Sequence, residues 1–282
     1  MKAEARFRNQ SLEFWSYVKI ISQQAGYTER NQDRIKVPSP AEMHSTLSAL
    51  SLSLEKIWAN GKLTPLGLEL HAYFEYRARV LNDDVEPRLM KLQKAASVFK
   101  RLKRANDPRC PLPMNKQKGN KKNYAFFTGI VNMLIEKHSG GVGCDYDPKS
   151  LITFAEQSAL KRALSRRVDG AFPSLVNPIA IWEIKEYYYT TTFGSRVADG
   201  VYESLLDGYE LSEIRTSLGT RVDHVLMIDD YFTWWTKGRS YLCRICDMLH
   251  MGLVTEVLFG SEVLERLPSL VAEWRSRMPE FR

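Results

Sequence analysis

The stretch Ile179-Ala-Ile-Trp-Glu-Ile-Lys-Glu-Tyr-Tyr-Tyr189 decides how this chain is read. β-Branched and aromatic residues dominate it, so it is predicted to be a β-strand. Alternate residues of a strand point to the same face. Glu183 and Lys185 therefore share one face, and Trp182 and Ile184 share the other. A carboxylate and an ammonium set among Ile, Trp and Tyr are costly to bury unless they are paired or bind something. A strand this apolar belongs near the centre of its sheet, so the ion pair asks for an explanation.

Immediately upstream, Val168-Asp169-Gly170 reads as a strand end or turn, and Asn177-Pro178 as a second turn. An adjacent antiparallel strand fits between them, which sets Asp169 beside Glu183 and Lys185. Two carboxylates suit a hard cation such as Mg²⁺, which prefers oxygen ligands and keeps several waters. The backbone carbonyl of Ile184 offers another oxygen. A lysine beside such a cation orients the attacking water or helps deprotonate it, and balances the charge of a phosphate. The bland alternative is a surface Glu–Lys pair on an edge strand, with Asp169 only turning the chain before Gly170. Glu186 is a competing carboxylate, but it points to the opposite face from Lys185.

The spacing Asp169–(13 residues)–Glu183-Ile184-Lys185 resembles the motif of the PD-(D/E)xK nucleases, with Val168 where the motif name has proline. The resemblance implies a mixed sheet flanked by helices and Mg²⁺-dependent hydrolysis of DNA phosphodiesters. Carried over by position, Asp169, Glu183 and the Ile184 carbonyl would hold the metal, and Lys185 would act on the water. The family often adds a carboxylate from the helix before the first strand. Glu136 and Glu156 are the candidates, with Glu136 preferred. Helicase, ATPase and methyltransferase motifs are not seen. On that analogy the chain looks most like a type II restriction endonuclease, a class whose members usually act as homodimers on double-stranded DNA.

Outward from this core, the first third reads as helices over 11–25, 41–58 and 66–81, the latter two started by Ser39-Pro40 and Thr64-Pro65. Two helices joined across Gly61 make either a helix-turn-helix DNA reader or an ordinary helical hairpin. Residues 91–122 hold eleven basic residues against one acidic residue, Asp107. Within that segment Lys116, Lys118, Lys121 and Lys122 are expected to meet DNA phosphates. Arg166 and Arg167, at the end of a helix predicted over 151–166, join them. Residues 123–137 read as an apolar helix. Gly140-Gly-Val-Gly143 reads as a turn, since it lacks the Lys-Ser/Thr ending of a phosphate loop. A helix over 194–208, a strand over 222–228, a long apolar helix from Gly238 and a C-terminal helix complete the pattern. The fold class expected is α/β (α+β). A helical region over 1–110 would serve DNA binding or dimerisation, and a catalytic mixed-sheet domain would span 111–282.

The chain has 282 residues, a net charge of +7 and 44% hydrophobic residues. It can bury a real core, and its charge favours polyanionic partners. No apolar run is long enough to span a membrane, and the first ten residues lack the apolar stretch of a signal peptide, so the cytoplasm is the expected compartment. Cys243 and Cys246 form a CxxC inside a predicted helix, read as buried cysteines in preference to a zinc site. The five histidines are scattered. Asp229-Asp230 ends a strand and is read as a cap for the next segment before a metal site. Thr190, Thr191, Thr192 and Ser195 either touch DNA or cap a helix. Tyr187, Tyr188, Tyr189, Trp234 and Trp235, with Lys237 and Arg239, either line a nucleic-acid surface or serve the core. The rival functions are another defence or repair nuclease of the same fold, an RNA-acting enzyme, and a non-catalytic DNA-binding regulator built on the N-terminal helices.

Overall fold

The strand expected over 179–189 forms over 180–186 and stands in the middle of a five-stranded sheet. The computed structural model describes residues 1–29, 32–115, 123–189 and 195–278.

The chain begins with α1 (Leu12–Ala25) and α2 (Pro40–Ala49). The small hairpin β1 (Trp58–Ala59) and β2 (Lys62–Leu63) and then α3 (Pro65–Arg79) follow. Each helix start is set by a side chain that accepts an otherwise orphaned backbone N–H: Ser11 from Phe14, Ser39 from Glu42, and Thr64 from Gly67. The Glu42 carboxylate in turn accepts from the Ser39 N–H, closing a capping box.

The helix expected over 41–58 is cut short. Ser51 takes a left-handed conformation, Leu52 N–H bonds back to Leu47 O and Ser51 N–H to Ser48 O. This is a Schellman ending, which closes α2 nine residues early. A hairpin therefore separates α2 from α3, and the two are not joined by the short turn of a helix-turn-helix. The aromatic core of Phe14, Trp15, Tyr73 and Phe74 holds this region together.

The rest begins with α4 (Leu92–Asn106) and α5 (Phe126–His138), then β3 (Asp145–Tyr146), β4 (Thr153–Glu156), β5 (Ala159–Ala163), β6 (Gly170–Phe172) and β7 (Ala180–Glu186). It ends with α6 (Ser195–Leu218), β8 (Asp223–Asp229), α7 (Arg239–His250), β9 (Glu256–Phe259) and α8 (Val263–Ser276). The sheet order is β3-β6-β7-β8-β9. β3, β6 and β7 pair antiparallel, whereas β7, β8 and β9 pair parallel. The parallel half needs crossovers, which α6 and α7 supply. Trp182, Val225, Met227 and Leu258 face a core shared with α4, α5 and α8. Leu226, Ile228, Val257 and Phe259 face α6 and α7. The α/β class with a mixed sheet between helices is thus what the chain adopts.

Two expected elements differ. Residues 151–166 form the hairpin β4–β5 where a helix was expected. Gln157 and Ser158 both have positive φ, giving the two-residue turn that matches the twist of paired strands. The long apolar run after Gly238 breaks after His250, and Val257, Leu258 and Phe259 become the edge strand β9. The N-terminal helices dock on α7 through a buried cluster: Tyr73 Oη and Arg77 Nη1 donate to Asp247 at 2.6 and 3.0 Å. Among the described residues no helix is long and apolar enough to cross a membrane.

Candidate active site

β6 and β7 pair with Gly170 opposite Trp182, so Asp169 sits one step beyond the last pair, opposite Glu183. Its N–H donates to Trp182 O at 3.1 Å, and its Oδ2 accepts the Ile184 N–H at 2.8 Å. In an extended strand the N–H and C=O of one residue face the same edge, so the Ile184 carbonyl faces the Asp169 edge too. Gly170 is what allows this close pairing. A Cβ there would lie 2.0 Å from Trp182 Cζ2.

Glu183 and Lys185 point together away from Trp182, into the layer covered by α6. Glu183 is 1% exposed. Its Oε2 lies 2.6 Å from Lys185 Nζ, and Arg166 grips its Oε1 and Oε2 at 3.0 and 3.3 Å. Burial alone would raise the Glu183 carboxyl, but the Lys185 and Arg166 charges hold it below the ordinary value. Burial pulls on Lys185 the other way, and Glu183 first, then Asp169, keep its ammonium well above its ordinary value. Asp169, Glu183 and Lys185 are therefore brought to one place, with the lysine firmly protonated.

The sequence reading missed the rest of the site. Glu203 and Asp207, one turn apart on α6, complete it: Glu203 lies 3.3 Å from Lys185 and 3.2 Å from Arg166, and Asp207 lies 2.6 Å from Arg166. Asp207 is fully buried, and burial pushes its carboxyl up to about 7 against the pull of Arg166. Gly200 lets α6 approach, since a Cβ there would stand 3.2 Å from Lys185 Cδ. The stripe Gly200, Glu203, Asp207 has helical spacing, which was the available signal.

Other expected residues fall elsewhere. Glu136 lies on α5, which covers the Trp182 face, and its carboxylate accepts the Arg109 N–H at 3.1 Å, so it does not join the cluster. Glu156 pairs with Lys161 on the exposed hairpin. Glu186 occupies the opposite face and accepts from Thr128 N–H and Oγ1 at 2.8 and 2.9 Å, capping the start of α5. Arg166, expected on DNA, is instead spent on three carboxylates, whereas Arg167 is exposed. Lys116, Lys118, Lys121 and Lys122 lie outside the described residues, as do Thr190, Thr191 and Thr192. Asp230 accepts the Thr233 N–H at 2.9 Å as a cap, and Asp229 accepts the Met90 N–H and the Tyr188 hydroxyl. Trp234 and Trp235 are buried in the core, as are Cys243 and Cys246 on α7.

The donor set of Asp169, Glu183 and the Ile184 carbonyl consists of oxygens, which is the chemistry a hard divalent cation takes. Both Glu183 oxygens are shared with Arg166, so a cation there would compete with the guanidinium. Among the described residues no group of three or more His, Cys, Asp or Glu side chains is arranged to hold a metal ion.

Residues 90–274 match the model of a family described as a domain of unknown function, DUF7687, and residues 1–84 match another, DUF7690. The first match covers most of the chain, which therefore belongs to that family. No curated protein and no solved structure matches the chain.

Proposed function

We propose that this DUF7687 family member is a Mg²⁺-dependent DNA endonuclease that hydrolyses phosphodiester bonds at the cluster of Asp169, Glu183 and Lys185. The observation that carries the reading is convergence. Two residues of one strand and one from the end of its neighbour meet on a single face, and Lys185 is held between the charges of Glu183 and Asp169. An ion pair this deep contributes little to stability after its desolvation cost, so its presence in the central strand favours a chemical role.

A bound Mg²⁺ would supply positive charge to the scissile phosphate and its attacking water. Asp169, Glu183 and the Ile184 carbonyl would hold it. Lys185, protonated at neutral pH, serves as a hydrogen-bond donor and fixed charge rather than as a base. It positions the incoming water or steadies a phosphate oxygen as charge grows there. Arg166, tied to Glu203 and Asp207, fixes the Glu183 carboxylate in the orientation this requires. Exposed Arg167 is offered to a neighbouring phosphate. The finer reading, a restriction-type enzyme acting on double-stranded DNA as a homodimer, rests on the motif resemblance and would place one site on each strand.

Plasmid DNA incubated with the protein and Mg²⁺ tests the class. Discrete fragments support a site-specific endonuclease. A smear supports a defence or repair nuclease without site preference. Intact DNA retained in a mobility-shift assay contradicts the catalytic reading and leaves the DNA-binding regulator.

A further inference from the structure

A cavity of about 820 Å³ lies between the π-helical turn after α3 (Val80–Val85), the start of α4 and the carboxyl ends of β8 and β9. Tyr231 and Ser261, each two residues past the end of its strand, form part of its wall. None of the residues of the Glu183 cluster lines it. Crevices outside the carboxyl ends of parallel strands are where open α/β sheets bind small ligands, and this volume is in the range such ligands fill.

The lining has a polarity. Leu89, Met90 and Val98 are buried and apolar. Lys94 and Arg101, two turns apart on one face of α4, project into the same space, with Lys91 at the helix start. Among the described residues no carboxylate stands within ion-pair distance of Lys94 or Arg101. Lys91 lies over the Tyr231 ring at 5.3 Å. Asp83 and Glu86 also line the cavity, but Glu86 is engaged by the Tyr231 hydroxyl at 2.9 Å. Two unpaired cations over an apolar floor ask for an anion attached to a flat, apolar body. The planar fork of arginine beside a lysine point charge favours a phosphate over a carboxylate.

We propose that this cavity binds a nucleoside phosphate, with the phosphate on Lys94 and Arg101 and the base on the Leu89–Met90–Val98 floor beside Tyr231. The nucleotide is either free or the end of a nucleic-acid strand. The inference does not depend on hydrolysis at Glu183.

The test is calorimetric titration of the full chain and of the double variant Lys94→Ala/Arg101→Ala. The probes are AMP, adenosine and a short 5′-phosphorylated DNA oligonucleotide. Both substituted residues lie on the solvent side of α4, and the melting temperature without ligand checks that the variant folds. The expected result is binding of AMP or of the oligonucleotide, no binding of adenosine, and an affinity at least roughly tenfold weaker in the variant. Saturation by AMP identifies a free nucleotide as the ligand, whereas binding of the oligonucleotide alone identifies a strand end. Equal affinities in wild type and variant, or no binding of either phosphate probe to the wild type, would overturn the proposal.

Discussion

Lys185 Nζ lies 2.6 Å from Glu183 Oε2, and both side chains are buried on one face of the central strand. The next carboxylate along, Glu186, faces the other way and caps α5. One strand thus carries two buried glutamates with different tasks, and substitution separates them. Glu183→Gln removes the counter-charge of Lys185 and Arg166 and is expected to lower cleavage by about 100-fold or more. Glu186→Gln is expected to leave cleavage within a few-fold while costing about 1 kcal/mol of stability through the weakened cap. Cleavage rates and urea melts of the two variants check this. Equal losses of activity would contradict it.

Arg166 bridges Glu183, Glu203 and Asp207, so its role is to set the site rather than to hold DNA. Lysine keeps the charge but cannot make the two-pronged contact with Glu183. Arg166→Lys is expected to reduce the cleavage rate while leaving DNA affinity and its salt dependence unchanged. Arg167→Ala should do the reverse, weakening binding and flattening the salt slope by about one phosphate contact.

Among the described residues no cation pairs with buried Asp229, and burial pushes its carboxyl from 3.8 up to about 7. An acid whose folded value is raised contributes stability that is fully present below the unfolded value and is lost as pH rises through the folded one. Wild-type stability should therefore fall between pH 4 and 7, by as much as about 4 kcal/mol from this group. Asp229→Asn can still accept the Met90 N–H and can donate to the Tyr188 hydroxyl. Its melting temperature should be flatter across that window and higher than wild type at pH 8. A steeper decline in the variant would show the assignment to be wrong.

Gly170 has the Trp182 ring where a Cβ would stand. Gly170→Ala must displace either the ring or β6. It is expected to destabilise by about 1–3 kcal/mol or more and to lower cleavage by shifting Asp169. A melt and a rate on the same preparation check both effects.

Much of the sheet-bearing half was legible because its signals are local. Alternation fixed the face of Glu183 and Lys185, and the Asn177-Pro178 turn implied the antiparallel partner that brings Asp169 alongside. The helix starts at Ser39 and Thr64 were legible because capping is chemistry within four residues. The hairpin at 153–163 was not, since its turn depends on Gln157 and Ser158 adopting positive φ, which neither residue type advertises. In β9 (Glu256–Phe259) only the last three residues are apolar, and so short an apolar run does not distinguish strand from helix. Glu203 and Asp207 were missed for another reason. Periodicity shows that they share a helix face, but only the packing of α6 on the sheet, through Gly200, shows what that face meets.

The most direct test of the central claim is the rate of phosphodiester cleavage of plasmid DNA by wild type and by Lys185→Ala, each with Mg²⁺ and with EDTA. A melting curve confirms that both are folded. Cleavage that requires Mg²⁺ in the wild type and falls by about 100-fold or more in the variant is the predicted result. Mg²⁺-dependent cleavage that survives the loss of Lys185, or a folded wild type that leaves DNA intact under both conditions, would contradict the assignment of Asp169, Glu183 and Lys185 as a catalytic site.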